Sequence, residues 1–287
     1  YIFQILYIYI GIFFPELTKP IQGYIYNDQY ELILGTYFGQ RGFSFSGSIA
    51  YSFSILLSTF LIFIIFENKK SKNNSTKENI FFLLISIIPL LTAARISFIT
   101  IILLLTLILI QSKSKKSLLF LILSFLSLGI YYLNSMPLDQ IRLLVFVFEP
   151  LINFFNGEGF VTSSSQKLFD EMYFQIELEK LYYGTGMYFN PDGSYYGYTD
   201  SGYMRIILFF GLPLAITFIF FNFLMIKILI NRSNHHPTLF LTIILFMLVY
   251  QIKGDIIGYN VDFYSVIFIF LFSSFLSNDS KKIVNPL

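Results

Sequence analysis

The sequence predicts an all-α fold: a polytopic transmembrane helical bundle of about eight spans, with one large extracytoplasmic loop that contains short amphipathic helices. Three observations lead there. Mean hydropathy is +0.68, with 55% hydrophobic and only 13% charged residues, far from the composition of a soluble domain. Several apolar runs approach or exceed the roughly 20 helical residues that cross a bilayer. Between them lie short basic clusters, which orient spans with lysine and arginine on the cytoplasmic side.

In chain order, residues 1–14 read as the end of a span, and the chain as a piece lacking its natural N-terminus. Residues 15–47 are too polar for lipid and read as a loop ending in Gly39-Gln-Arg41-Gly-Phe-Ser-Phe-Ser-Gly47. Residues 48–66 form a full apolar helix, and Lys69, Lys70, Lys72 and Lys77 place the loop after it in the cytoplasm. Residues 80–111 are apolar but are broken by Pro89 and by Thr92-Ala-Ala-Arg95. Basic clusters on both flanks require an even number of crossings. Two short helices, 80–91 and 96–111, meet that requirement with Arg95 at an outer turn, and a re-entrant arrangement is the alternative.

Residues 118–133 cross outward again, and residues 134–202 form the large loop, with nine acids against Arg142, Lys167 and Lys180. Within it, Ser163-Ser-Ser-Gln-Lys-Leu168 resembles a capped helix start, and Leu168, Met172, Ile176 and Leu181 keep a spacing suited to a helix on the membrane surface. Residues 203–230 return inward with a kink at Gly211-Leu-Pro213. Residues 238–251 and 258–277 make a second hairpin with Lys253-Gly-Asp255 at its tip and a cytoplasmic C-terminus. This topology leaves 11 of the 19 Lys and Arg inside, but only 3 of the 17 acids. The chain reads as one integral membrane domain, with no soluble domain, repeat or nucleic-acid motif.

Cysteine is absent, and the two histidines, His235 and His236, fall in a predicted inner loop. Thiolate chemistry is therefore excluded, and no metal or other cofactor is expected. What remains is a set of cations at the outer ends of spans: Arg41, Arg95, Arg205 and Lys253. Guanidinium groups match phosphate oxygens in pairs, so a cavity gathering these groups would suit a pyrophosphate. The other reading of each is that it snorkels to headgroups or pairs with an acid such as Asp255 or Asp262. Arg95 is the strongest candidate, because it interrupts an apolar run where arginine costs about 3 kcal/mol and something must compensate it.

The glycine- and tyrosine-rich stretch over residues 183–211 runs from polar loop directly into apolar helix. Thr199-Asp200 stands where a helix cap belongs, and Asp200 is either that cap or a general base for a sugar hydroxyl. Most of the 21 tyrosines suit an interfacial belt; Tyr195, Tyr196, Tyr198 and Tyr203 are the ones placed to stack on sugars.

Together these features resemble the O-antigen polymerase and O-antigen ligase superfamily of bacterial inner-membrane glycosyltransferases, the Wzy-type polymerases. Arg41-Gly-Phe before a span is similar to that family's arginine-glycine segment. Thr92-Ala-Ala-Arg95 is similar to its Thr-x-Ser-Arg turn, with alanine in place of serine. Gly184-Thr-Gly186, Asp200-Ser-Gly-Tyr203 and Gly211 resemble the exit of its large periplasmic loop. The ligase branch usually has histidine where this chain has Asp200, which favours polymerase.

The resemblance implies metal-independent transfer at the periplasmic face of the inner membrane, from an undecaprenyl-pyrophosphate-linked oligosaccharide. It also implies a flippase and a chain-length regulator as partners. Asp200 and Arg95 would be catalytic. Arg41, Arg95, Arg205, Lys253, Tyr198 and Tyr203 would bind pyrophosphate and sugar, the arginines stabilising charge on the departing group. Transfer to lipid A core by a ligase is the alternative within this family, and a transporter for the same lipid-linked glycan is the alternative outside it.

Overall fold

The structure, a computed structural model, describes residues 1–26, 50–70, 75–111, 149–150, 152–159, 161–233 and 237–284. Arg41, the span expected at 118–133, the start of the large loop and both histidines lie outside the described residues. The chain divides into two compact units, Tyr1–Phe160 and Val161–Leu287.

The first unit contains α1 (Ile2–Phe13), α2 (Pro15–Tyr26), α3 (Ala50–Lys70), α4 (Ser75–Ala93) and α5 (Ser97–Gln111). Helix α2 corrects the expectation of a polar loop from residue 15. Pro15 starts it, Glu16 complements its N-terminal dipole, and the buried Gln22 amide donates to Thr18 Oγ1 at 3.2 Å. Helices α1 and α2 meet at 117°.

Helix α3 packs against α4, and a row along it that includes Phe53, Leu57, Leu61 and Ile65 is fully buried. The small residues Ser54, Ser58 and Thr59 are buried with them. At one end, Asn68 donates to Asn79 Oδ1 at 3.0 Å. Pro89 cannot donate to the carbonyl of Ile85, four residues before it, and the Tyr9 hydroxyl takes that place at 3.2 Å.

The second unit begins with short elements: α6 (Ser163–Lys167) leading into a π-helical turn (Leu168–Met172), then α7 (Leu178–Tyr183) and a 3₁₀ turn (Tyr196–Tyr198). Thr162 and Ser165 close a reciprocal cap on α6, so the capped start was read correctly within one residue. The longer surface helix expected to reach Leu181 instead ends at Met172. The Met172 carbonyl accepts from Thr199 Oγ1 at 2.9 Å and the next residue, Tyr173, donates its hydroxyl to Ile252 O at 2.9 Å, so the chain turns away to meet these partners.

Helices α8 (Gly202–Phe210), α9 (Leu212–Arg232), α10 (Pro237–Gln251) and α11 (Val261–Val284) complete the unit. Helix α10 is the inner one, burying Leu239, Ile243, Phe246, Met247 and Tyr250, whereas α9 turns Leu214, Ile216, Phe220 and Phe221 outward. That outward face suits lipid.

Among the described residues, three helices are long and apolar enough to cross a membrane, over Ala50–Asn68, Thr76–Ala93 and Leu212–Arg232; α1 and α2 make a fourth if the bent pair counts as one span. About eight had been expected from the sequence. Ser97–Leu109, Pro237–Gln251 and Val261–Ser273 are apolar but shorter than a full crossing. Among the described residues the protein is helical, without strands beyond one isolated bridge.

Candidate functional site

The kink read at residues 211–213 is a true break between α8 and α9, and it organises the loop around it. Pro213 has no N–H for the Phe209 carbonyl, and Gly211, at φ 75°, turns the chain out of helical geometry. Loop amides supply the missing donors: Thr185 N–H and its hydroxyl reach Leu208 O at 2.7 and 3.0 Å, and Gly186 N–H reaches Phe209 O at 3.1 Å. The Gly184-Thr-Gly186 motif is thus a plug for the exposed end of α8. Such a break is tolerated at membrane depth only when its carbonyls are satisfied in this way. A side chain on Gly184 would run into Phe209 O and Gly211 N, and one on Gly211 into Tyr182 O.

At the other end of α8, Ser201 rather than Thr199 or Asp200 is the cap, its hydroxyl accepting from Met204 N–H at 3.4 Å. This corrects the capping reading of the pair. Thr199 instead turns its hydroxyl to Met172 O, which leaves Asp200 to point elsewhere. Its carboxylate is 58% exposed, and Oδ1 accepts from Arg205 Nη2 at 3.3 Å.

Arg205, one turn into α8, is the centre of the cluster. Its side chain is only 7% exposed. Nε donates to Thr199 O at 2.9 Å and Nη1 to Asp255 Oδ2 at 2.6 Å, while the guanidinium carbon lies 3.2 Å from the centre of the Tyr195 ring. Within its unit its partners include two carboxylates, a carbonyl and an aromatic face, as the pairing alternative anticipated for Asp255.

Asp255 reaches Arg205 because the Gln251 side chain folds the intervening turn, Oε1 accepting from Ile256 and Ile257 N–H at 3.0 and 2.9 Å. The Tyr188 hydroxyl also donates to Asp255 Oδ2. Burial raises the Asp255 carboxyl above the ordinary aspartate value, against the lowering influence of Arg205, Tyr188 and Gln251. Burial and the neighbouring carboxylate likewise push the Tyr188 phenol well above its usual range, so it remains a donor at neutral pH. Tyr188→Phe removes that donor, and a loss of about 2 kcal/mol is expected, seen as a lower melting temperature of the detergent-solubilised protein.

Residues 188–196 form a small hairpin that the sequence reading overlooked. Its bridge pairs Phe189 with Tyr195, Tyr196 N–H bonds Tyr188 O at 3.0 Å, and Asn190-Pro-Asp-Gly193 makes the turn. That tetrapeptide was a usable signal, since proline, aspartate and glycine in this order favour a tight turn. The Phe189 and Tyr195 rings stack at 5.4 Å, and Tyr188 stacks on Tyr259 at 4.7 Å.

The other predicted residues have separate places. The Tyr203 hydroxyl donates to Leu248 O at 2.9 Å, tying α8 to α10. Lys253 Nζ donates to Ser164 Oγ at 2.6 Å, tying the α10–α11 turn to α6. Tyr198 is exposed beside the hairpin. In the first unit, Arg95 stands at the break between α4 and α5 as expected, and its compensating charge is Glu149, which the sequence reading did not identify. No group of three or more His, Cys, Asp or Glu side chains suited to a metal occurs among the described residues. No family model matches the chain, and no curated protein and no solved structure matches it.

Proposed function

We propose that this protein polymerises undecaprenyl-pyrophosphate-linked oligosaccharide repeat units into O-antigen or capsular polysaccharide at the periplasmic face of the bacterial inner membrane, with its C-terminus in the cytoplasm. The observation that carries the reading is Asp200, an exposed carboxylate held by a buried guanidinium at the start of an apolar helix. The resemblance of the short motifs supports it, and so do the apolar helices.

In this reading Asp200 accepts the proton of the acceptor sugar hydroxyl. The hydroxyl oxygen bonds to the anomeric carbon of the donor, and the bond from that carbon to the pyrophosphate breaks, releasing undecaprenyl pyrophosphate. Arg205 is the positioning residue: it fixes Oδ1 of Asp200 and leaves Oδ2 for the hydroxyl. The resemblance alone implies Arg41 and Arg95 as pyrophosphate ligands, their charge balancing the leaving group. Lys253 and Tyr203 hold the loop and helices in place. A flippase would deliver the substrate, and a chain-length regulator would act on the product.

The test is complementation of a polymerase-deficient strain of the source organism with wild type, Asp200→Asn and Arg95→Ala, reading the polysaccharide ladder at matched membrane levels. Wild type is expected to restore long chains, and both variants to leave single-repeat product, with Asp200→Asn at least about 100-fold slower. A full ladder from Asp200→Asn removes Asp200 as the base. Polymerised chains that stay on the carrier lipid without the gene identify a ligase, and failure of any lipid-linked glycan to reach the outer face identifies a transporter.

A further inference from the structure

Two aromatic rings here face solvent, Phe189 in the hairpin and Tyr198 just after it. Phe189, stacked on the ring that Arg205 covers, is 55% exposed, and Tyr198 is 72% exposed although it sits at φ 52°. A non-glycine residue in that region costs about 1 kcal/mol, and the strain presents an aromatic ring to solvent rather than burying one. Polar groups lie alongside. Asp192 takes the amide and hydroxyl of Ser194 at 2.8 and 2.5 Å and lies 3.5 Å from the Tyr198 hydroxyl; Asn190 donates to Ser194 Oγ at 3.0 Å. Flat aromatic faces edged by carboxylate and amide groups match a pyranose ring, which is apolar on its faces and lined with hydroxyls at its rim.

Charge narrows the match. Residues 161–202 carry six acids against Lys167 and Lys180, and Lys180 is paired with Glu177 at 2.8 Å. Within the cluster, Arg205 faces two carboxylates. An anionic sugar would meet like charge on entering.

We propose that the hairpin is a sugar platform, with Phe189 and Tyr198 stacking against the acceptor end of the glycan, and that it selects uncharged repeat units over those bearing uronic acids. This rests on the reading of Asp200 as the residue that receives the acceptor hydroxyl, and it adds the substrate class.

The experiment uses the full chain in lipid nanodiscs, with two soluble probes of equal length: a neutral oligosaccharide of glucose, galactose and N-acetylglucosamine, and an analogue carrying glucuronate. Saturation-transfer NMR reads which sugar protons touch protein. Transfer to ring-face protons of the neutral probe is expected, with about tenfold weaker binding for Phe189→Ala and for Tyr198→Ala, and weaker transfer to the acidic probe. Tyr198 is so exposed that its loss leaves folding intact, which keeps the result readable should Phe189→Ala be unstable.

No transfer to either probe, transfer undiminished in Tyr198→Ala, or equal transfer to the acidic probe overturns the proposal. The two readings fail separately. Binding without any polymer ladder removes the polymerase and leaves the platform, whereas a normal ladder from both variants removes the platform and leaves the polymerase.

Discussion

Arg205→Lys is expected to abolish long-chain polymer while the protein still reaches the membrane. Lysine keeps the charge but offers a compact ammonium in place of a planar fork, and here the fork serves Thr199 O, Asp200 and Asp255 at once while stacking on Tyr195. An ammonium, a point charge without the planar fork, is expected to centre on one carboxylate rather than span both. With Asp255 the more deeply buried partner, Asp200 is the one released, so the acceptor hydroxyl loses its oriented base.

Arg205→Ala should go further and destabilise the protein by about 4 kcal/mol, because it leaves Asp255 buried without its cation. Adding Asp255→Asn to Arg205→Ala should recover much of the melting temperature but none of the ladder. Recovery of both would mean that Arg205 is structural and that Asp200 works without it. The checks are thermal denaturation in detergent and the polysaccharide ladder, run on the same membrane preparations.

The second large effect concerns the plug on α8. Gly184→Ala and Gly211→Ala each place a methyl group against backbone, at φ 69° and 75° where a side chain is already disfavoured. Backbone cannot give way as a side chain can. The loop must lift, and the Leu208 and Phe209 carbonyls lose the donors from Thr185 and Gly186. Left unsatisfied in an apolar setting, these groups cost several kcal/mol in addition to about 2 kcal/mol of backbone strain.

Little folded protein is expected from either variant by size-exclusion profile after detergent extraction. Gly193→Ala is the internal comparison: it has a similar φ of 81° but open space around it, so about 1 kcal/mol is expected and a normal profile. Equal behaviour of Gly184→Ala and Gly193→Ala would show that the plug does not hold the loop.

These contrasts show where the sequence was informative. Both helix breaks were legible, at Arg95 and at residues 211–213, because proline, glycine and charge interrupt apolar runs by local chemistry. The cap near Ser163 was legible for the same reason. The register of residues 199–201 was not, since three consecutive residues can all cap a helix. Tertiary partners decided it, with Thr199 taken by Met172 and Asp200 by Arg205. The surface helix was overextended because apolar spacing cannot report that Tyr173 bonds Ile252, 79 residues away. Arg205 with Asp255 and Arg95 with Glu149 are likewise long-range pairs. The sequence supplied the need for a counter-charge but not its identity beyond a choice of acids.

Reconstitution tests the central claim most directly. Purified full-length protein in liposomes would be given an undecaprenyl-pyrophosphate-linked repeat unit alone, with no other enzyme present, and glycan length and free undecaprenyl pyrophosphate followed over time. The account predicts lengthening lipid-linked chains, with one undecaprenyl pyrophosphate released for each bond formed and neither product from Asp200→Asn. Single-repeat substrate that stays unchanged with folded, membrane-inserted protein, or chains that lengthen equally well with Asp200→Asn, would contradict it.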